Sequence, residues 1–191
     1  MSDSPEMVTA KATLRTVLLA GRARRPPEER AAAADAIADV LASRLAGTAV
    51  VAAYVPLAEE PGHGRLPQAL PGRLLLPVVP ARGRELSWAE HDGRLAPGRF
   101  GLLEPTGPRL PPGALATADV VVVPALAVAT DGTRLGRGGG YYDRALSAAR
   151  PDAVLVAVVF DEELLPHVPA GAHDRRVTAV VAPAAGWRQL A

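Results

Sequence analysis

The stretch DVVVVPALAVATDGTRLGRGGGYYDRALSAAR, residues 119–150, passes from a run of four valines through a glycine cluster into a segment of helical character. A short, continuously apolar run bounded by proline suits a strand buried on both faces, as in a parallel sheet. The glycines 136 and 138–140 end that βα connection, and YYDRALSAAR predicts a helix over 141–150. Apolar runs of the same kind recur at 49–55, 73–79, 153–160 and 176–182. The expected fold is therefore α/β, a largely parallel doubly wound sheet flanked by helices.

The N-terminal part reads differently. Residues 9–23 and 28–46 predict a pair of helices separated by Pro26 and Pro27, with Glu28 and Glu29 suited to the positive end of the second helix dipole. Residues 86–91 alternate more than the other strands and predict an edge or hairpin strand. A long irregular connection follows, 91–113, and residues 97–115, which carry Gly98, Gly101, Gly107 and Gly113, are a candidate mobile cover. At 191 residues the chain is expected to form one domain, 1–191.

Composition excludes several functions. Lys plus Arg is 21 against 20 for Asp plus Glu, a net charge of +1 that gives no reason to expect a nucleic acid or membrane partner. The absence of Cys removes disulfides, thiolate metal sites and cysteine nucleophiles, and the four His form no compact metal motif. No apolar run reaches the ~20 residues of a membrane span. A monomeric cytoplasmic protein is the expectation.

The chemistry concentrates at 131–144. Between strand and helix, backbone N–H groups converge on anions, and Gly136, Gly138, Gly139 and Gly140 allow a path closed to residues with a Cβ. Arg134 and Arg137 add guanidinium groups for phosphate oxygens. The loop lacks the GK[ST] ending of a Walker A loop and the spacing of the dinucleotide fingerprint. Two of the three tyrosines, Tyr141 and Tyr142, and the acid Asp143 follow directly. Lys11 is the sole lysine in a chain that otherwise uses Arg, and Arg15 lies on the same helical face, so the two form a cationic pair suited to a polyphosphate.

With these residues, RLGRGGGYYDRAL at 134–146 resembles the 5-formyltetrahydrofolate cyclo-ligase family, also called methenyltetrahydrofolate synthetases. Weaker matches extend along nearly the whole chain: K-x-x-x-R at 11–15, Tyr54 to Glu60, LLLP at 74–77, GLLEP at 101–105, VVVP at 121–124 and HD at 173–174. The resemblance implies conversion of 5-formyltetrahydrofolate to 5,10-methenyltetrahydrofolate with ATP and Mg2+, and a small-molecule folate as partner. It implies that Lys11 and Arg15 bind ATP together with Arg134, Leu135, Gly136, Arg137, Gly138, Gly139, Gly140, Tyr141 and Tyr142. Asp143 and Asp174 match acidic magnesium positions, and Val55 and Glu60 match the folate pocket. Glu59 is chemically as well suited as Glu60, and the choice rests on register. Lys11, Arg134, Arg137 and Tyr141 are the candidate catalytic set, with Tyr141, Trp88 and Phe100 as candidates for packing on the substrate rings.

The chain departs from the family pattern at three acids, having Ala129, Gly171 and Thr178 instead; Asp131, two residues beyond the first, is a candidate for replacing it, and the alternative is that it does not. These absences predict an active enzyme with weaker magnesium binding. They also motivate the competing expectation of a non-catalytic folate or nucleotide binder. A third reading, a kinase or ligase acting on another anionic small molecule, follows from a loop that fixes phosphates without specifying the acceptor.

Overall fold

The computed structural model describes residues 4–171 and 175–190. Helices α1 (Pro5–Arg24) and α2 (Pro27–Arg44) form the N-terminal pair, followed by strand β1 (Val50–Ala52), the short helix α3 (Leu66–Ala69) and strands β2 (Arg73–Val78), β3 (Ser87–Glu90), β4 (Leu95–Pro97), β5 (Leu103–Pro105) and β6 (Arg109–Leu110). Then come β7 (Val120–Pro124), β8 (Ala127–Ala129), β9 (Arg134–Leu135), helix α4 (Tyr141–Ala145), β10 (Val154–Val158), β11 (Leu164–Leu165), β12 (Ala179–Ala182) and β13 (Gly186–Gln189).

Helix α1 begins where Ser4 accepts a hydrogen bond from the Met7 amide at 3.2 Å and Pro5 fills the first turn. It ends because the two prolines force Arg25 into an extended conformation.

The main sheet has eight strands in the order β13-β12-β10-β7-β1-β2-β3-β6. Its centre, β12-β10-β7-β1-β2, is parallel, and β13, β3 and β6 add antiparallel margins. All four valines of β7 are buried, as expected of a strand covered on both faces. One core layer carries Leu75, Val121, Val123, Leu155 and Leu146, and the other places Ile37 and Leu41 of α2 against Val51, Val120, Val122 and Val156. The chain leaves β1 toward β2 on one side and returns through β7 on the other. The carboxyl ends of β1 and β7 are thus the point where strand order reverses, the crevice in which open α/β sheets bind ligands.

Local expectations meet different outcomes. The helix expected over 141–150 is α-helical only to Ala145 and then tightens into a 3-10 turn, Leu146–Ala148, because Pro151 restricts the residue before it. The strand at 86–91, expected at an edge or in a hairpin, takes the hairpin place: it pairs antiparallel with the preceding β2, and β6 covers its other side. The stretch 91–113 is not an irregular loop: β4 and β5 form an antiparallel hairpin whose tip carries Phe100. β13 and the small sheet β11-β8-β9 have no counterpart in the sequence reading.

Candidate functional site

Two cavities meet along the glycine loop at the carboxyl ends of β1 and β7. The larger, about 380 Å³, is walled by Tyr54, Val55, Leu57, Pro77, Val79, Leu86 and Leu102, with Glu60, Glu104 and Tyr141 among its polar groups. The smaller, about 210 Å³, is lined by Lys11 and Arg15 of α1 with Arg134, Gly136, Gly138 and Gly140. Arg134, Gly136, Gly138, Gly140 and Asp143 line both. An apolar chamber of drug-sized volume beside a basic one is a site for an elongated ligand with a ring system next to an anion.

The loop itself is built for approach by an anion. Gly138 and Gly140 lie at φ +94° and +70°, in the region that favours glycine. No backbone amide from Gly136 to Gly140 donates to a carbonyl among the described residues. Arg15 steers the turn from outside, its Nε donating to the Gly136 carbonyl at 2.9 Å. A side chain at 138 would bring its Cβ to 3.3 Å from the Arg15 guanidinium carbon. Lys11 is buried beside the same loop.

Arg134 and Arg137 are each paired with a carboxylate. Arg134 is buried, donates to the Pro124 carbonyl at 3.2 Å and to Asp143 Oδ1 at 2.5 Å, and keeps an enclosed Nε without a partner among the described residues. Asp143 stays 44% exposed on its side chain, so its carboxylate has capacity left toward the junction of the cavities. Arg137 Nε donates to Glu60 Oε1 at 2.9 Å, and Glu60 Oε2 accepts the Leu57 amide at 3.0 Å. Glu60 is buried and faces the apolar cavity, whereas Glu59 is exposed and off it. The structure therefore brings Val55, Glu60, Tyr141 and Asp143 together with the loop and the α1 cations. Asp174 lies outside the described residues, as does His173.

Burial and the neighbouring Glu60 carboxylate push the Tyr54 phenol well above the ordinary tyrosine range. Burial does the same to Tyr142, again with Glu60, while Arg134 pulls the other way. The Tyr142 hydroxyl is enclosed without a hydrogen-bond partner among the described residues, an unmet polar group at the cavity wall. Both shifts run away from neutral pH, so each phenol keeps its proton there.

Other expected residues fall elsewhere. Trp88 is 1% exposed in the core and lines neither cavity. Phe100 lines the mouth, 68% exposed, at φ +58°. Asp131 does not substitute for a missing acid: its Oδ1 accepts the Thr133 amide in a local turn and its Oδ2 pairs with Arg176 at 3.2 Å, away from both cavities. Ala129 is buried in a small apolar cluster, and Thr178 is bonded to the Leu155 backbone ahead of β12, at the end of the sheet opposite the site. Positions 129 and 178 are thus not vacancies in the cleft.

Sequence reasoning missed Glu104 on the cavity wall, where Oε1 accepts the Val79 amide at 2.9 Å, and the buried Arg22–Glu163 pair. Gly98 carried a signal for the first. A Cβ there would lie 2.5 Å from the Glu104 carboxyl carbon, so this glycine admits a side chain rather than making a turn.

Among the described residues no cluster of three metal-ligating side chains exists, and no helix is long and apolar enough to cross a membrane. The residues nonetheless fit a magnesium ion carried in with phosphates. Mg2+ commonly takes one or two carboxylates and completes its shell with phosphate oxygens and water, and Asp143 presents such a carboxylate next to the basic cavity.

A model of the 5-formyltetrahydrofolate cyclo-ligase family matches residues 7–183. A 5-formyltetrahydrofolate cyclo-ligase of Mycolicibacterium smegmatis is 42% identical over 185 residues, covering 93% of this chain and 95% of that protein. One from Mus musculus is 36% identical over 67 residues, a third of each chain at 33%. Among solved structures, the 5,10-methenyltetrahydrofolate synthetase of Aquifex aeolicus superposes with a TM-score of 0.74 at 30% identity, covering 94% of this chain and 92% of its own. That of Mycoplasma pneumoniae gives 0.69 at 19% identity, covering 89% and 96%, a likeness of fold.

Proposed function

Because this chain belongs to the 5-formyltetrahydrofolate cyclo-ligase family and is a ligase of that kind, we propose that it closes 5-formyltetrahydrofolate to 5,10-methenyltetrahydrofolate at the expense of ATP, with magnesium. The observation that carries the nucleotide part is the run Gly136 to Gly140, none of whose amides donates to a carbonyl among the described residues, beside a basic cavity with Lys11 and Arg15.

In this reading the apolar cavity holds the pterin and aminobenzoyl rings, and the loop holds the phosphates. The formyl oxygen attacks the γ-phosphorus, ADP leaves, N10 attacks the activated formyl carbon to close the ring and gives its proton to solvent, and phosphate then departs from that carbon. The chain has little covalent work in such a sequence. Its task is alignment and charge neutralisation.

Lys11, Arg15 and the loop amides hold the phosphate chain, and Arg137 reaches from the loop to Glu60, linking the phosphate end to the ring end. Glu60 accepts hydrogen bonds from the donor edge of the pterin beside Val55, and Tyr141 packs on the rings. Asp143, oriented by Arg134, is the carboxylate that would hold Mg2+, whose contribution when bound is to offset phosphate charge. Asp174 is proposed as the second acid. The enzyme acts as a cytoplasmic monomer on a diffusible folate.

Of the three absent acids that favour a non-catalytic binder, those at 129 and 178 lie off both cavities, which supports the catalytic reading.

The test is the absorbance of methenyltetrahydrofolate formed from 5-formyltetrahydrofolate, with and without ATP and magnesium, in wild type, Lys11→Ala and Asp143→Ala. Product that needs both additions and falls about 10- to 100-fold in each variant is the expected result, the size of a lost hydrogen bond to a charged group. Tight folate binding without product from folded wild-type protein would overturn it.

A further inference from the structure

Helix α1 is seated on the body of the protein in an unusual way. Of its 20 residues, the two with buried side chains are Lys11 and Arg22, both cations. Leu14, Leu18 and Leu19 are only partly buried, against Leu126, Ala127, Leu135 and Val168. Apolar contact of this kind favours association but fixes no axial position, because sliding a helix along a greasy surface exchanges one aliphatic contact for another.

Arg22 supplies the missing fix. Its Nε donates to Glu163 Oε1 at 2.6 Å, and its terminal nitrogen donates both to Glu163 Oε2 at 2.7 Å and to the Ala125 carbonyl at 2.6 Å. The carboxylate is itself held, since Oε2 also accepts the Phe160 amide at 2.8 Å. Both side chains are 2% exposed. Ala125 follows β7 and lines the folate-sized cavity, so the pair ties α1 directly to the strand end that frames the site.

A buried pair of this sort is a poor source of stability compared with apolar residues of equal volume, and its best-attested use is to set register. Arg15 and Lys11 precede Arg22 by seven and eleven residues, near multiples of 3.6, which places all three on one helix face. At 1.5 Å per residue they stand roughly 10 and 16 Å along the axis from it.

We propose that Arg22 is a positioning residue for the nucleotide: its bidentate hold on Glu163 and Ala125 fixes the axial register of α1, and thereby sets Lys11 and Arg15 against the glycine loop. The proposal rests on the phosphate reading of that loop. It predicts a defect that falls mainly on ATP, since Lys11 and Arg15 of α1 line the basic cavity and no residue of α1 lines the folate chamber, whose contact with the pair is confined to Ala125.

The experiment compares wild type with Arg22→Lys and with the neutral pair Arg22→Met/Glu163→Gln, in which Gln keeps an acceptor for the Phe160 amide. Titration calorimetry with ATP, steady-state KM for each substrate and thermal melts are recorded on each. In the neutral pair we expect ATP affinity to fall at least tenfold with KM for 5-formyltetrahydrofolate unchanged within twofold, and Arg22→Lys to lie between. In a Lys11→Ala background, breaking the pair adds less than threefold, because a cation that it positions is already gone.

Wild-type ATP affinity in a folded neutral-pair variant, or a parallel loss for both substrates, would overturn the proposal. So would full additivity with Lys11→Ala. Wild-type protein that binds 5-formyltetrahydrofolate but no ATP would instead sink the phosphate reading itself, and the positioning role with it.

Discussion

The Arg22–Glu163 and Arg137–Glu60 pairs both join a guanidinium to a carboxylate, yet the first hides both members at 2% exposed, whereas the second leaves Arg137 41% exposed above a Glu60 at 7%. The Arg134–Asp143 pair is half open in the other sense, with the cation at 4% and the carboxylate at 44%. In the closed pair every hydrogen-bonding direction that matters is met by protein. In the open pairs one member is held and the other has a face toward the cavities. The same chemistry thus serves as a fixed joint in one place and as a receptive surface in the other, and enclosure decides which.

The largest expected effect breaks that comparison by removing one member of each pair. Arg22→Ala strands Glu163 in an interior that already pushes its carboxyl above the usual range, and the loss should be about 3–5 kcal/mol of folding stability. Arg137→Ala leaves Glu60 bordering a cavity open to the surface and should cost about 1 kcal/mol or less, while turnover of 5-formyltetrahydrofolate drops. Urea unfolding of the two variants checks this, and equal losses would mean that enclosure is not what separates the pairs.

A smaller effect sharpens it through the tyrosines beside Glu60. Tyr54 and Tyr142 are both raised, first by burial and next by the Glu60 charge, so the folded state holds their protons more tightly than the unfolded chain. The stability this confers is complete below the unfolded tyrosine value of about 10 and is lost as pH rises toward the folded values. A near-ultraviolet phenolate titration should show both ionising late, with Tyr54→Phe and Tyr142→Phe each removing one late component. Glu60→Gln should bring both down. If only Tyr54 responded, Glu60 would be screened from Tyr142 by Arg134.

How much of this was legible beforehand follows from what each feature depends on. The parallel centre could be read from β7 and its companion runs because strands buried on both faces must be apolar throughout. The loop could be read because positive φ values at 138 and 140 demand glycine, and the lone lysine marked the partner helix. The closed pair could not: Arg22 and Glu163 stand 141 residues apart in segments dense with other charges, and nothing local distinguishes a buried arginine from a solvated one. The fate of Asp131 was equally hidden, since its partner Arg176 comes from the segment ahead of β12. The hairpin at 95–105 was missed because its strands are three residues each, too short for alternation to register.

The smallest effect belongs to the tip of that hairpin, where the site is most open. Phe100 adopts φ +58° and ψ +26°, the left-handed region, and does so while 68% exposed, so little packing of its ring compensates the conformation. Relief of that strain by Phe100→Gly is worth about 1 kcal/mol, and the added freedom of glycine in the unfolded chain offsets about as much. Melting should therefore hardly move. The ring does line the mouth of the apolar cavity, with Arg99 at 5.3 Å from its centroid, and an aromatic contact with the aminobenzoyl ring would contribute about 0.5–1.5 kcal/mol. KM for 5-formyltetrahydrofolate should then rise about 2- to 10-fold while ATP affinity stays fixed, the mirror image of the defect expected from Arg22. An unchanged KM would show that the strained tip serves the fold of the hairpin alone, and the open side of the comparison would then end at Glu60.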